Sequence, residues 1–106
     1  MTFVRPGTLD VMILKTLSRE RMHACNLAIS IEKSFGGDLR VGDPAVRQSV
    51  RRLEQRGLIV GRWGVSDNNR SARIYTLTAR GRLRLRIETA NWMRFCRLMI
   101  RFLRAE

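Results

Sequence analysis

Histidine, lysine and cysteine are scarce in this chain. His23 is the only histidine, Lys15 and Lys33 are the only lysines, and Cys25 and Cys96 the only cysteines among 106 residues. A lone histidine without clustered cysteines or carboxylates argues against a structural or catalytic metal. Cys25 and Cys96 lie far apart and form neither a C-x-x-C pair nor a dense secreted framework, so both are expected to be reduced thiols. No apolar run approaches the roughly 20 residues of a membrane span. The stretch from Met1 to Arg5 has no charged segment leading into an apolar one, so no secretory leader and a cytoplasmic setting are expected. Also missing are G-x-S-x-G, P-loop and G-x-G-x-x-G patterns. Neither enzyme chemistry nor a cofactor is expected.

Acidic side chains are few as well. Nine Asp and Glu face twenty-one Lys and Arg, a net charge of +12. With only two lysines, nineteen of the cations are arginine. Arginine's planar donor fork suits phosphates and guanine edges better than lysine's compact ammonium does. An acidic polymer is therefore the leading partner class, with an anionic membrane surface as the second. The excess is localised: residues 1–43 carry net +1, residues 44–77 net +5 and residues 78–106 net +6. At 44% hydrophobic and 28% charged, the chain has the composition of one folded domain.

The near-neutral first third reads as two helices. Thr8 is a candidate N-cap with Asp10 in the first turn, and Leu9, Met12, Ile13 and Leu17 share one apolar face. Arg19 to Met22 form a break, with His23 a turn or cap residue. Ala24, Leu27, Ala28, Ile31 and Phe35 then line a second apolar face, stopped by Gly36-Gly37. Asp43-Pro44 marks a third helix, with Asp43 as N-cap, running from residue 44 to about Arg56 with Gly57 as the stop. Val46, Val50 and Leu53 are its buried stripe, while Arg47, Gln48, Arg51, Arg52 and Gln55 spread over the other side. Arginine can bind guanine O6/N7 and glutamine adenine N6/N7, as reading of the major groove requires; an ordinary solvated face uses the same residues.

Two short β-type runs follow, residues 58–63 and 73–77, joined by turn residues 66–71. Arg62, Arg70 and Arg73 near the tip could face phosphates, and Trp63 is expected to pack the hairpin onto a helix. Three helices and a hairpin spell a mainly α, winged helix-turn-helix architecture. Thr78 then caps a last helix over residues 79–104. Its second half presents Trp92, Met93, Phe95, Cys96, Leu98, Met99, Ile100, Phe102 and Leu103 over an arc of about 220°. Arg94, Arg97, Arg101 and Arg104 occupy a narrow remaining stripe. Left in water, those nine side chains would forfeit on the order of 10–20 kcal/mol of burial. One small domain cannot cover so wide an arc, so a homodimer seam is expected. An interfacial helix on a membrane has the same pattern but does not need the Arg47/Gln48/Arg51 face. Cys96 in such a seam is a candidate redox bridge.

Gly7-Thr8-Leu9-Asp10, Ile13-Leu14-Lys15, Met22-His23, the run from Arg52 to Ile59 and the run from Asn68 to Gly81 together resemble the PadR family of bacterial transcriptional regulators. Asn91-Trp92 fits a short subgroup with a single C-terminal dimerisation helix. The resemblance spans about Gly7 to Leu103 and implies a DNA-binding unit over 1–78 and a dimerisation helix over 79–106. It also implies a nucleoid-associated repressor that binds inverted-repeat double-stranded DNA as a homodimer, released in many members by a small aromatic effector. On that basis Asn69 and Tyr75 join the DNA-binding candidates, and Trp92 is a candidate pocket residue. The recognition helix departs from the family's usual Gly-Ser-Leu-Tyr-Pro-Ala-Leu, reading Pro44-Ala45-Val46-Arg47-Gln48-Ser49-Val50. After His23 the usual Gly-Tyr is Ala24-Cys25, and the first of two wing tyrosines is Ile74. Arg47 and Gln48 can read bases that a Tyr-Pro pair cannot, so the operator is expected to differ from the family's. The alternative is a winged helix that binds nucleic acid without sequence preference.

Overall fold

Nine elements succeed one another in the computed structural model, which describes residues 2–3, 6–65 and 68–105. They are β1 (Thr2–Phe3), α1 (Pro6–Arg19), β2 (Met22–His23), α2 (Ala24–Ser34), β3 (Leu39–Arg40), α3 (Asp43–Gln55), β4 (Ile59–Val65), β5 (Ser71–Leu77) and α4 (Ala79–Arg104). The mainly helical architecture with a small antiparallel sheet is that of a winged helix-turn-helix extended by a long C-terminal helix.

The helix starts correct two expectations. Proline is pre-organised for the first helical position, and α1 opens at Pro6, which puts Thr8 inside the helix rather than at its cap. Asp10 thereby falls beyond the first turn and serves a different purpose, described below. In α3, Gly42 is the N-cap and Asp43 lies in the first turn, where a carboxylate favours the helix dipole. Pro44 sits at the helix start as expected. Gly57, with φ of 72°, supplies the left-handed residue that ends α3. Gly36 and Gly37 do the same after α2, with φ of 60° and 85°. Phe35 lies beyond the last turn of α2 and is exposed, off the apolar face it was grouped with.

The core joins the predicted faces. Leu9, Ile13 and Leu17 of α1 meet Leu27 and Ile31 of α2, Val46, Val50 and Leu53 of α3, and Ile59 and Leu77 of the sheet. The sheet has the order β2-β5-β4, antiparallel throughout. The expected hairpin is present, in register from Ile59 opposite Leu77 to Val65 opposite Ser71. A third strand joins it where a break was expected: Met22 pairs with Tyr75 and His23 with Ile74. Two residues are too few to show alternation, so the strand exists only through its partner. A further short pairing sets β1 parallel to β3. Ser66 and Asp67 of the predicted turn lie outside the described residues. Asn69, with φ of 64°, adopts the left-handed conformation that asparagine tolerates.

Thr78 ties the sheet to α4. Its Oγ1 accepts the Gly81 N–H at 3.0 Å and donates to the Gly57 carbonyl at 2.7 Å, so one hydroxyl caps α4 and secures the end of α3. Gly81 is buried at this junction. A Cβ there would fall on the Leu58 carbonyl oxygen and 2.7 Å from Leu77 Cδ1. Gly81→Ala is therefore expected to destabilise the fold by about 1–3 kcal/mol, although alanine is the better helix former. The check is urea unfolding, read as a lower midpoint at unchanged slope.

Candidate nucleic-acid interface

Burial of Val46, Ser49, Val50 and Leu53 sets the rotation of α3 about its axis. That rotation leaves Arg47, Gln48, Arg51 and Gln55 exposed. Among the described residues neither Arg47 nor Arg51 has an ion-pair partner. Four residues apart, they stand on one side of the helix with Gln48 beside them. This is a row of free donor groups on the surface of a rigid helix, matched in width to a major groove.

Arg52 departs from this row. Its Nη2 donates to Asp10 Oδ1 at 2.7 Å and to Ser49 Oγ at 2.8 Å, which ties α3 to α1. The guanidinium is committed to holding the helix in place. Arg73 is engaged in the same way. Its Nη2 donates to Glu54 Oε2 at 2.6 Å and to the Gly61 carbonyl at 3.1 Å, bridging α3 to the hairpin. Glu54, followed by a hydrogen bond to Tyr75, holds the Arg73 guanidinium above its ordinary pKa. Tyr75 itself is half-buried, packed against the core opposite Gly61 and away from the tip. The exposed cations of the hairpin are Arg62 and Arg70, with exposed Asn69 between the strands.

Sequence reasoning missed the residues that orient this surface. Glu54 and Asp10 recruit two of the predicted cations inward, and their partners lie 19 and 42 positions away in the chain. The one local signal was Gly61, since a glycine inside a strand marks close approach of another group. A Cβ at Gly61 would lie 2.8 Å from Arg73 Nη2 and 2.8 Å from Tyr75 Cε1. The expectation that Trp63 packs the hairpin onto a helix is overturned. Trp63 is 71% exposed and its contact is with Arg73, whose Cζ stands 5.8 Å from the ring centroid. His23 lies on β2 and is the N-cap residue of α2, as expected of a turn or cap residue, although its side chain makes no cap hydrogen bond.

The start of α4 packs on the domain, with Gly81 buried and Leu85 against the core. From residue 89 onward every described residue is exposed. Trp92, Met93, Phe95, Cys96, Leu98, Met99, Ile100, Phe102 and Leu103 are all on that projecting half. Trp92 and Phe95 meet edge to face, with centroids 6.3 Å apart. Trp92 and Met93 also border a groove of about 380 Å³ against Met12 and Lys15 of α1 and Phe35. Among the described residues no cluster of His, Cys, Asp or Glu could hold a metal ion. Among the same residues no helix is long and apolar enough to cross a membrane.

Known proteins share this architecture. A transcriptional regulator from Clostridium thermocellum superposes with a TM-score of 0.84 at 17% identity, covering 92% of each chain. A PadR-like transcriptional regulator from Bacillus cereus gives 0.80 at 21% identity, over 94% of this chain and 95% of its own. A PadR family regulator from Eggerthella lenta gives 0.80 at 26% identity, over 94% and 85%. No curated protein matches the chain. The transcriptional regulator PadR-like family matches residues 13–87, more than two thirds of the sequence and the whole span from α1 into α4. The chain belongs to the PadR-like family and is a transcriptional regulator rather than an enzyme.

Proposed function

We propose that this regulator is a homodimeric repressor that reads an inverted-repeat operator with α3 and places the hairpin on the flanking backbone. The observation that carries the reading is the division of labour among the arginines. Arg52 and Arg73 are bound to Asp10 and Glu54, whereas Arg47 and Arg51 are exposed and have no ion-pair partner among the described residues. A surface that served only to solvate the fold has no need to separate them. The exposed apolar half of α4 is the self-association surface, and pairing two copies of α3 gives the two-fold geometry of an inverted repeat. The groove beside Trp92 is the place for a small aromatic effector. Such a protein works on the nucleoid, in the cytoplasm.

The test is DNase footprinting on the DNA directly upstream of the protein's own coding sequence. Protection of two half-sites with their centres about one or two helical turns apart, roughly 34 Å each, is the expected result. Uniform protection that disappears at about 0.2 M salt would replace sequence-specific reading by non-specific binding.

A further inference from the structure

An exposed tryptophan on a hairpin is uninformative by itself, but Trp63 is supported by a built arrangement. Odd-numbered residues of β4 share a sheet face with their odd-numbered partners on β5. Ile59 and Leu77, at the base of that face, are buried in the core. Trp63 and Val65 continue the same face beyond the core, where both are exposed. Glu54 of α3 reaches this face too, accepting from the Gly61 N–H at 3.3 Å and from Arg73 at 2.6 Å. Arg73, opposite Trp63 in the ladder, then lies against one side of the indole. Gly61 leaves the space that the guanidinium occupies. A chain of contacts therefore runs from α3 through Glu54 and Arg73 to Trp63, and it leaves most of the ring open to solvent.

Resting on the DNA-binding reading above, we propose that Trp63 is itself a DNA-contacting residue. Its open side packs on the deoxyribose edges of the strand bordering the groove that α3 enters, and Glu54 and Arg73 position it. The surroundings fit that occupant. Glu54 puts the Trp63 face on the side of the hairpin where α3 lies. The same hairpin carries exposed Arg62, on the opposite sheet face, and exposed Arg70, in the turn, as cations suited to phosphates. Sugar edges are the apolar part of a nucleic-acid backbone, and apolar side chains are the common means of gripping the minor-groove side. Because Arg73 is neutralised by Glu54, it acts as a brace for the ring rather than as a phosphate contact. The brace also fixes the hairpin relative to α3, so that base reading and backbone gripping keep one spacing.

The experiment uses the full chain, unaltered for the mobility shift and carrying Trp92→Phe only for the fluorescence measurements, so that Trp63 is there the sole tryptophan. It is titrated with the upstream duplex and followed in parallel by mobility shift, indole emission and acrylamide quenching. Expected are a gel shift, a several-fold drop in the quenching constant at saturation, and weakening of binding by about tenfold in Trp63→Ala, an aromatic burial lost. Trp63→Phe retains most of the affinity. Glu54→Gln raises the quenching constant of free protein because the brace is loosened, a change that mere loss of a surface ion pair would not produce. A normal gel shift with unchanged quenching overturns the proposal while leaving DNA reading by α3 intact, and it would assign the open indole to a protein partner. Absence of any shift with the duplex, with the thermal transition intact, defeats the DNA-binding reading and this proposal with it.

Discussion

Replacing Leu98 and Phe102 together with glutamate is expected to convert the protein from dimer to monomer at micromolar concentration. The cause lies in the proportions of α4. Its 26 residues extend about 39 Å at 1.5 Å per residue, and its second half is exposed throughout. Leu98 is 46% and Phe102 75% exposed in the single chain, and Ile100 and Leu103 beside them are exposed as well. Contiguous apolar surface of this extent on a small domain marks an interaction surface. Two carboxylates within a seam would have to be desolvated without partners, a cost of several kcal/mol that association could not offset. Light scattering of wild type and variant decides the matter. A well-folded wild-type monomer at micromolar concentration would refute the homodimer and the two-fold operator with it. In the variant, operator affinity should fall by about 10²–10⁴, because each half-site is then bound without the effective concentration that its tethered neighbour provides.

Arg47→Ala or Arg51→Ala should lower affinity for the operator by about 1–3 kcal/mol while scarcely affecting a scrambled duplex. The contrast is with Arg62→Ala, whose exposed side chain is proposed to meet phosphate. That change should weaken both duplexes alike and reduce the slope of log K against log salt by about 0.9, the release of one counterion. Arg47 and Arg51 belong to the outer row of α3, whose inward row is held by Val46, Val50 and Leu53. Their removal disturbs no ion pair among the described residues. A salt titration of each variant on both duplexes measures affinity and slope together. Equal losses for all three variants on both duplexes would make α3 an electrostatic surface, and the operator reading would fail.

The alternative cations make a useful control. Arg52→Ala and Arg73→Ala would also weaken binding, but through the fold, because each leaves a carboxylate, Asp10 or Glu54, without its partner. Both would show lowered thermal stability, which loss of Arg47 or Arg51 would not.

Much of the molecule was legible in the order of residues. Helix α3 is bracketed by Pro44 and Gly57, and α4 is marked from Thr78 to Arg104, because proline, glycine and a capping hydroxyl act within one turn of where they stand. The buried stripe of α3 follows from helical period alone, and so does the apolar half of α4 that none of the described residues covers. The tertiary structure alone decided which arginines are available. A helical period places Arg52 away from the Val46 stripe, but it does not show that Asp10, 42 positions earlier, stands opposite. Nor does strand alternation show that Glu54 waits under Arg73, or that the sheet extends past the core at Trp63 and leaves the ring in solvent. Met22 and His23 became a strand only because β5 had an open edge beside them. Propensity, capping and periodicity are properties of neighbours in sequence. Ion pairing, strand pairing and exposure depend on distance through space, and only the packed chain sets that distance.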